Sequence, residues 1–219
     1  PGDTLLFQGD SITDCGRARD ADGAPPPAND IHGLGKGYAA KAAGTLLSRF
    51  PGHGLRVHNR GVSGNRVTDM AARWEADFKS VRPDVVSILI GVNDTWHGAA
   101  KGTPENGTDL DVFDRAYREL LDRLKSVFPE IRLVICEPFA LECGAVTELA
   151  FHPDIDERRA RVKQVADDYA DVWVPFQSLF DELCGIAPPE HWAGDGVHPS
   201  AGGHERMSDF WLERVLAGV

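Results

Sequence analysis

Two segments at opposite ends of the chain carry residue types that suit acyl transfer. Ser11 lies in GDSIT, and Asp195 and His198 lie three residues apart in DGVHP. An acyl-transfer site needs a nucleophile, a base that takes its proton and a group that orients the base. The short spacing lets the carboxylate bind one imidazole nitrogen while the other nitrogen faces the serine. We therefore predict that these three residues act together on an ester carbonyl.

Two further segments offer donors for the oxygen that becomes negative during such a reaction. Gly61 and Gly64 lie in NRGVSGN, and Asn93 lies in GVND. Glycine lets the backbone approach a ligand closely, and the asparagine side chain supplies an amide donor. Taken singly, each segment is more often a turn or a helix cap. Their joint position after predicted strands favours a catalytic set.

The elements that must position these residues follow from hydrophobic periodicity. Five short apolar runs predict strands, at residues 4–7, 55–58, 85–90, 131–136 and 172–174. Longer segments with apolar residues three and four positions apart predict helices, at residues 38–50, 67–81, 110–128, 155–169 and 201–216. Alternating strands and helices indicate an α/β domain with a parallel sheet covered on both faces. In that architecture, functional residues gather at the carboxyl ends of the strands.

The four segments resemble the signature blocks of a known family. GDSIT, GVSGN, GVND and DGVHP are similar to the blocks of SGNH (GDSL-type) hydrolases, in the family's order, from Leu5 to about Leu212. More narrowly, GDSITDCGR, NRGVSGN, RWEAD, IGVNDTW and DGVHPSAGGH resemble the bacterial branch that contains acetyl-xylooligosaccharide esterases. The resemblance implies a flavodoxin-like three-layer sandwich with a five-stranded parallel sheet, as one domain over residues 1–219.

The resemblance also implies a role for each matching residue. Ser11 would be the nucleophile and a backbone oxyanion donor, Gly64 the second backbone donor and Asn93 a side-chain donor. Asp195 and His198 would complete the triad. The implied activity is removal of acetyl groups from carbohydrate esters through an acyl-enzyme, without a metal or an organic cofactor.

Other functions remain open from the residues alone. A short-chain esterase, a thioesterase or a lysophospholipase would use the same machinery. A non-catalytic carbohydrate-binding domain could share the fold, because fold does not determine function. A metal-dependent hydrolase is a third alternative, although the remaining histidines lack metal-ligand spacing.

Several residues near the four segments have both a functional and an ordinary interpretation. Trp96 and Trp192 could form an apolar or sugar-stacking wall, or fill the core at a loop base. Arg66 could face the substrate, but pairing with a carboxylate is the favoured interpretation. Asp10 and Asp14 flank Ser11, and we expect both to stabilise a turn rather than form a glycosidase-type pair.

Bulk properties restrict the partners. The chain has 219 residues and a net charge of −11, which argues against nucleic acid and favours an uncharged small-molecule or oligosaccharide ester. No stretch reaches the roughly 20 apolar residues that cross a bilayer, so we expect no membrane association. The four cysteines contain no CxxC pair, and we expect free thiols and a cytoplasmic location. Relatives in the branch often assemble, so the resemblance admits a homo-oligomer. Residues 19–35 read as a surface loop at the rim of the site.

Overall fold

The apolar runs form one parallel sheet. The computed structural model describes residues 2–19 and 26–217. Within them, the strands are β1 (Thr4–Gly9), β2 (Arg56–Asn59), β3 (Val85–Leu89), β4 (Arg132–Cys136) and β5 (Val172–Val174). Each lies within two residues of its predicted bounds, because short runs of buried apolar residues bounded by polar loops leave little freedom.

The strand order explains where a ligand site can form. The order is β2-β1-β3-β4-β5, and every pairing is parallel. Leu6 of β1 lies opposite His58 on one side and Val86 on the other. This is the flavodoxin-like order. The progression of strands across the sheet reverses between β1 and β3, and a crevice opens beyond the carboxyl ends of these two strands. The predicted five-stranded α/β fold is confirmed.

Helices cover both faces of the sheet. The α-helices are α1 (Ser11–Asp14), α2 (Tyr38–Arg49), α3 (Val67–Ala72), α4 (Val92–Trp96), α5 (Leu110–Val127), α6 (Glu148–Phe151), α7 (Asp154–Tyr169), α8 (Phe176–Cys184), α9 (Pro189–Trp192) and α10 (Ala201–Ala217). Because side chains alternate along β1, Leu5 and Phe7 pack under α2, α8 and α10, whereas Leu6 packs under α3, α5 and α7. The result is a three-layer sandwich with two cores.

Two of the longer helical segments differ from the prediction, and the helices of four or five residues (α1, α4, α6 and α9) were not predicted. The predicted helix at 67–81 is α3 followed by a π-helical segment, Trp74–Lys79. There Trp74 and Phe78 are buried and stacked, while the Asp77 side chain accepts a hydrogen bond from Gln8 of β1. Periodicity alone does not reveal such a widened turn. Helix α8 was not predicted, since its nine residues give only a brief apolar face.

The predicted surface loop at residues 19–35 is described in part. Residues 20–25 lie outside the described residues. In the rest, the Asn29 side chain accepts a hydrogen bond from the Val57 amide at 2.7 Å and donates one to the Leu55 carbonyl at 2.9 Å. The loop therefore packs along β2, at the edge of the sheet. Among the described residues, no helix has both the length and the apolar character that a bilayer crossing requires.

Candidate active site

Ser11 begins a short helix at the carboxyl end of β1. Gly9 has φ of +157°, and a Cβ there would lie 2.2 Å from the Leu89 carbonyl oxygen, so only glycine fits this turn. Asp10 caps α1, because its Oδ1 accepts a hydrogen bond from the Ile12 amide at 3.0 Å. The tight turn and the cap place the Ser11 side chain at the edge of the sheet, next to the crevice. Asp10 thus has the turn-stabilising contact that its position predicts.

Three side chains form a continuous hydrogen-bonded line. Ser11 Oγ lies 2.8 Å from His198 Nε2, and His198 Nδ1 lies 2.6 Å from Asp195 Oδ2. The other oxygen of Asp195 accepts hydrogen bonds from the Val197 and His198 amides, at 2.9 and 2.7 Å. Burial alone would raise the pKa of Asp195, but the hydrogen bonds from the His198 ring and from the two amides lower it overall. The carboxylate therefore stays charged and holds the Nδ1 proton, which leaves Nε2 free to accept a proton from Ser11.

Trp96 lies against the histidine. Its ring centroid is 5.6 Å from that of His198 and 5.8 Å from that of Phe151 in α6. This contact limits rotation of the imidazole and places an apolar surface beside Ser11. Trp96 thus packs between His198 and Phe151, and its role as a substrate wall stays a prediction.

Trp192 does not share that position, and its burial favours the second of its two interpretations, a ring that fills the core at a loop base. The side chain is buried in the core, and its indole N–H donates to the Leu183 carbonyl at 2.9 Å. The ring thus joins α9 to α8, and its polar atom faces inward. Closeness in the sequence to Asp195 does not decide between the two interpretations, because the chain turns between the two residues.

The other two candidate oxyanion donors follow β2 and β3, Gly64 in a loop and Asn93 in α4. Gly64 has φ of +81° and is exposed. Asn93, in the first turn of α4, is buried, and its Nδ2 donates one hydrogen bond to the Asn65 carbonyl at 3.2 Å. Because an amide nitrogen carries two hydrogens, this bond fixes the side chain and leaves one donor for a ligand. Gly61, in contrast, is buried against α1: a Cβ there would lie 2.5 Å from the Asp14 nitrogen.

Two buried carboxyl groups lie behind the line of three side chains. Burial raises the pKa of Asp10 to about 7 and that of Asp94 to about 6. Asp94 accepts the Val67 amide at 3.3 Å and so caps α3. The second oxygen of Asp10 has no hydrogen-bond partner in the part of the chain that the structure describes. Both groups carry a cost when they ionise, because the hydrogen bonds that they accept only partly replace the water that they lose.

A polar groove adjoins Gly64. Its volume is about 400 Å³, and it is lined by Gly64, Arg66, Asp69, His97, Lys101, Thr103 and Asn106. Arg66 forms an ion pair with Asp69 at 2.9 Å and also donates a hydrogen bond to the Asn106 carbonyl. Pairing with a carboxylate is the interpretation that the sequence favoured for Arg66. Burial and the nearby charges of Lys101 and Arg66 lower the pKa of His97. The sequence does not single out His97 and Lys101, because their closeness to Gly64 depends on how the chain folds after GVND.

Comparison with known proteins relates this geometry to a family. The family model described as GDSL-like lipase/acylhydrolase matches residues 7–206. An acetylxylan esterase of Geobacillus stearothermophilus is 36% identical over 98% of this chain and 94% of its own length. A crystal structure of an acetylxylan esterase from that organism gives a TM-score of 0.84 at 37% identity, covering 97% of this chain and 93% of the other. A protein of Parabacteroides merdae described as GDSL-like gives a TM-score of 0.88 at 39% identity, covering 96% and 94%.

Fold, site and matches together define a carboxylic ester hydrolase. The chain belongs to the GDSL-like lipase/acylhydrolase family, and the resemblance read from its sequence is confirmed. Among the described residues, no group of histidine, cysteine, aspartate or glutamate side chains is arranged to hold a metal ion.

Proposed function

We propose that the protein removes acetyl groups from carbohydrate esters, with Ser11 as nucleophile, His198 as base and Asp195 as the group that orients the base. The observation that carries this proposal is the hydrogen-bonded line from Ser11 Oγ through the imidazole to the carboxylate, at 2.8 and 2.6 Å. Structures of the Geobacillus relative include catalytic mutants in which a serine, an aspartate and a histidine are each replaced, the last two three positions apart as here.

The reaction proceeds in two halves. Ser11 Oγ attacks the ester carbonyl while His198 Nε2 accepts its proton, and the resulting oxyanion binds the Ser11 and Gly64 amides and the Asn93 side chain. The imidazolium, stabilised by Asp195, then protonates the departing alcohol and leaves an acyl-enzyme. In the second half, a water attacks the acyl carbonyl while His198 takes its proton; the imidazolium then returns the proton to Ser11 Oγ as the bond to the acyl group breaks, and the acid leaves.

The surroundings of Ser11 support a short acyl group on a sugar. The Trp96 ring beside His198 limits the space for the acyl chain and gives a flat apolar surface for a sugar ring. The groove next to Gly64 offers donors and acceptors for hydroxyl groups. The relatives named as acetylxylan esterases point to the same substrate class.

Two measurements test the proposal. Ser11→Ala should remove esterase activity by several powers of ten and leave the melting temperature close to that of the parent, since triad losses are typically of that size. Labelling by an organophosphonate should modify Ser11 in the parent and nothing in the variant. Activity within about tenfold of the parent would refute the nucleophile assignment, given that scale.

Substrate profiling then separates the acetyl-carbohydrate activity from its alternatives. Specificity constants are measured for p-nitrophenyl esters from acetyl to octanoyl and for acetylated xylo-oligosaccharides. The proposal expects acetyl esters to be the best substrates and the oligosaccharides to be deacetylated. A preference for octanoyl esters would favour a lipase-like or lysophospholipase activity on the same residues.

A further inference from the structure

The loop that carries Gly64 has no regular structure of its own, so something else must fix it. Backbone hydrogen bonds hold its first part: the Arg60 amide donates to the Phe7 carbonyl at 2.8 Å and the Val62 amide to the Gly9 carbonyl at 3.0 Å. These bonds extend the pairing with β1 beyond the end of β2. Ser63 and Gly64 follow, in a turn that the Asn65 amide closes by donating to the Val62 carbonyl at 3.1 Å.

A side chain of α1 holds the next residue. Asp14, the last residue of α1, is buried, and its Oδ2 accepts the Ser63 amide at 3.0 Å. The same carboxylate accepts the Arg17 amide at 3.2 Å and the Arg19 guanidinium at 2.8 Å. The amide next in the chain after Ser63 is that of Gly64.

A second contact holds the loop from the opposite direction. Arg17 Nε donates to the Gly61 carbonyl at 2.6 Å. Gly61 itself lies so close to α1 that an added Cβ would clash with the backbone of Thr13 and Asp14. The loop is thus pressed onto the helix that begins with Ser11, and the carboxylate and the guanidinium bind it on either side of Val62.

We propose that Asp14 and Arg17 are positioning residues that set the distance and direction of the Gly64 amide relative to Ser11. The inference rests on the oxyanion role of Gly64 in the proposed function. Gly64 has no side chain and is exposed, so the direction of its N–H depends on the peptide that Asp14 holds. Donors of this kind act only when held within about 0.5 Å of the productive geometry. The sequence predicts only a turn-stabilising role for Asp14, and positioning of the Gly64 amide is a second role.

The decisive variant is Asp14→Asn. A carboxylate accepts all three donors, whereas an amide has one acceptor oxygen and turns its NH₂ group towards an N–H. Turnover of p-nitrophenyl acetate should fall by about ten- to a hundredfold, part of the hundred- to thousandfold effect of losing an oxyanion donor. The Michaelis constant should change little, and organophosphonate labelling should slow by the same factor as turnover.

A matched control separates positioning from stability. Asp84 also accepts a backbone N–H, that of Thr4 at 2.8 Å, but at the amino ends of β1 and β3, away from Ser11. Asp84→Asn should lower the melting temperature and leave turnover unchanged. Hydrogen exchange measured by mass spectrometry should quicken in the peptide containing residues 60–66 for Asp14→Asn and stay unchanged for Asp84→Asn.

A second variant, Arg17→Lys, keeps the charge but loses the Nε donor, and we expect a smaller fall in turnover in the same direction. Turnover within twofold of the parent in Asp14→Asn, with slow exchange at residues 60–66, would overturn the positioning role even if Ser11→Ala is inactive. An active Ser11→Ala variant would instead overturn the proposed function. If Asp14→Asn does not fold, full turnover and unchanged exchange in Arg17→Lys would overturn the inference.

Discussion

Replacing Asp10 by asparagine should remove a pH dependence of stability that one buried carboxyl group imposes on the fold. Asp10 lies directly before Ser11, is 1% exposed and has one oxygen without a hydrogen-bond partner among the described residues. Burial raises its pKa from 3.8 to about 7. As the pH rises through this range, the unfolded chain releases the proton first, so the free energy of unfolding falls.

The size of the effect follows from the shift. A raised pKa of roughly three pH units, at about 1.4 kcal/mol each, costs the folded state about 4 kcal/mol at pH 8. About 2.5 kcal/mol of this cost accumulates between pH 5 and pH 8. The rest arises below pH 5, where the unfolded chain already releases most of its proton. For a chain of this length, each kcal/mol changes the melting temperature by about 2–4 °C.

The assay compares melting temperatures of Asp10→Asn and the parent across pH. Asparagine keeps the oxygen that accepts the Ile12 amide and does not titrate. The difference between variant and parent should therefore rise by about 5–10 °C from pH 5 to pH 8, in favour of the variant. Measuring the difference cancels most contributions of other groups, such as His58 and His204, whose pKa values burial lowers to about 4.

Asp209→Asn, on the exposed side of α10, is the control. Its side chain is exposed to water in the folded and in the unfolded chain. The difference in melting temperature between this variant and the parent should therefore be the same at pH 5 and pH 8. A difference for Asp10→Asn that is equally flat would refute the reasoning, because it would mean that the folded protein ionises Asp10 at no cost.

Three further changes have expected outcomes. Asn93→Ala should lower turnover by about a hundredfold or more, with a small change in Michaelis constant, since it removes one oxyanion donor; steady-state kinetics check this, and a change in melting temperature alone would contradict it. Trp96→Ala should raise the octanoyl-to-acetyl ratio of specificity constants, because the ring beside His198 no longer limits the length of the acyl chain. An unchanged ratio would contradict the role of Trp96 as a substrate wall. Ser87→Ala leaves the buried Trp211 N–H, now bonded at 3.0 Å, without its acceptor, and denaturant unfolding should show a loss of about 1–3 kcal/mol; a loss below about 0.5 kcal/mol would contradict this.

The order of elements and the identity of the central residues could be predicted from the sequence because both are local properties. A short apolar run such as the one over β3 is typical of a strand covered on both faces, and residues that follow parallel strands meet at one edge of the sheet. The sequence alone therefore predicts that Ser11 and Asn93 lie at the same edge of the sheet. The short spacing of Asp195 and His198 likewise restricts their contact to one segment.

The tertiary structure decided what depends on the direction of a side chain. Trp96 and Trp192 have similar positions in the sequence relative to Asn93 and Asp195, but one ring contacts His198 and the other points into the core. Which way such a ring turns depends on partners far away in the chain, and a single sequence does not name them.

The same limit applies to the loop that carries Gly64. Its glycines could be recognised from the sequence, but not that Gly61 packs against α1 while Gly64 remains exposed. Nor does the spacing between Asp14 and Ser63 indicate that a carboxylate joins them. Local periodicity determined the sheet and the edge at which polar residues gather, whereas contacts between residues distant in sequence determined how the groups at that edge are held.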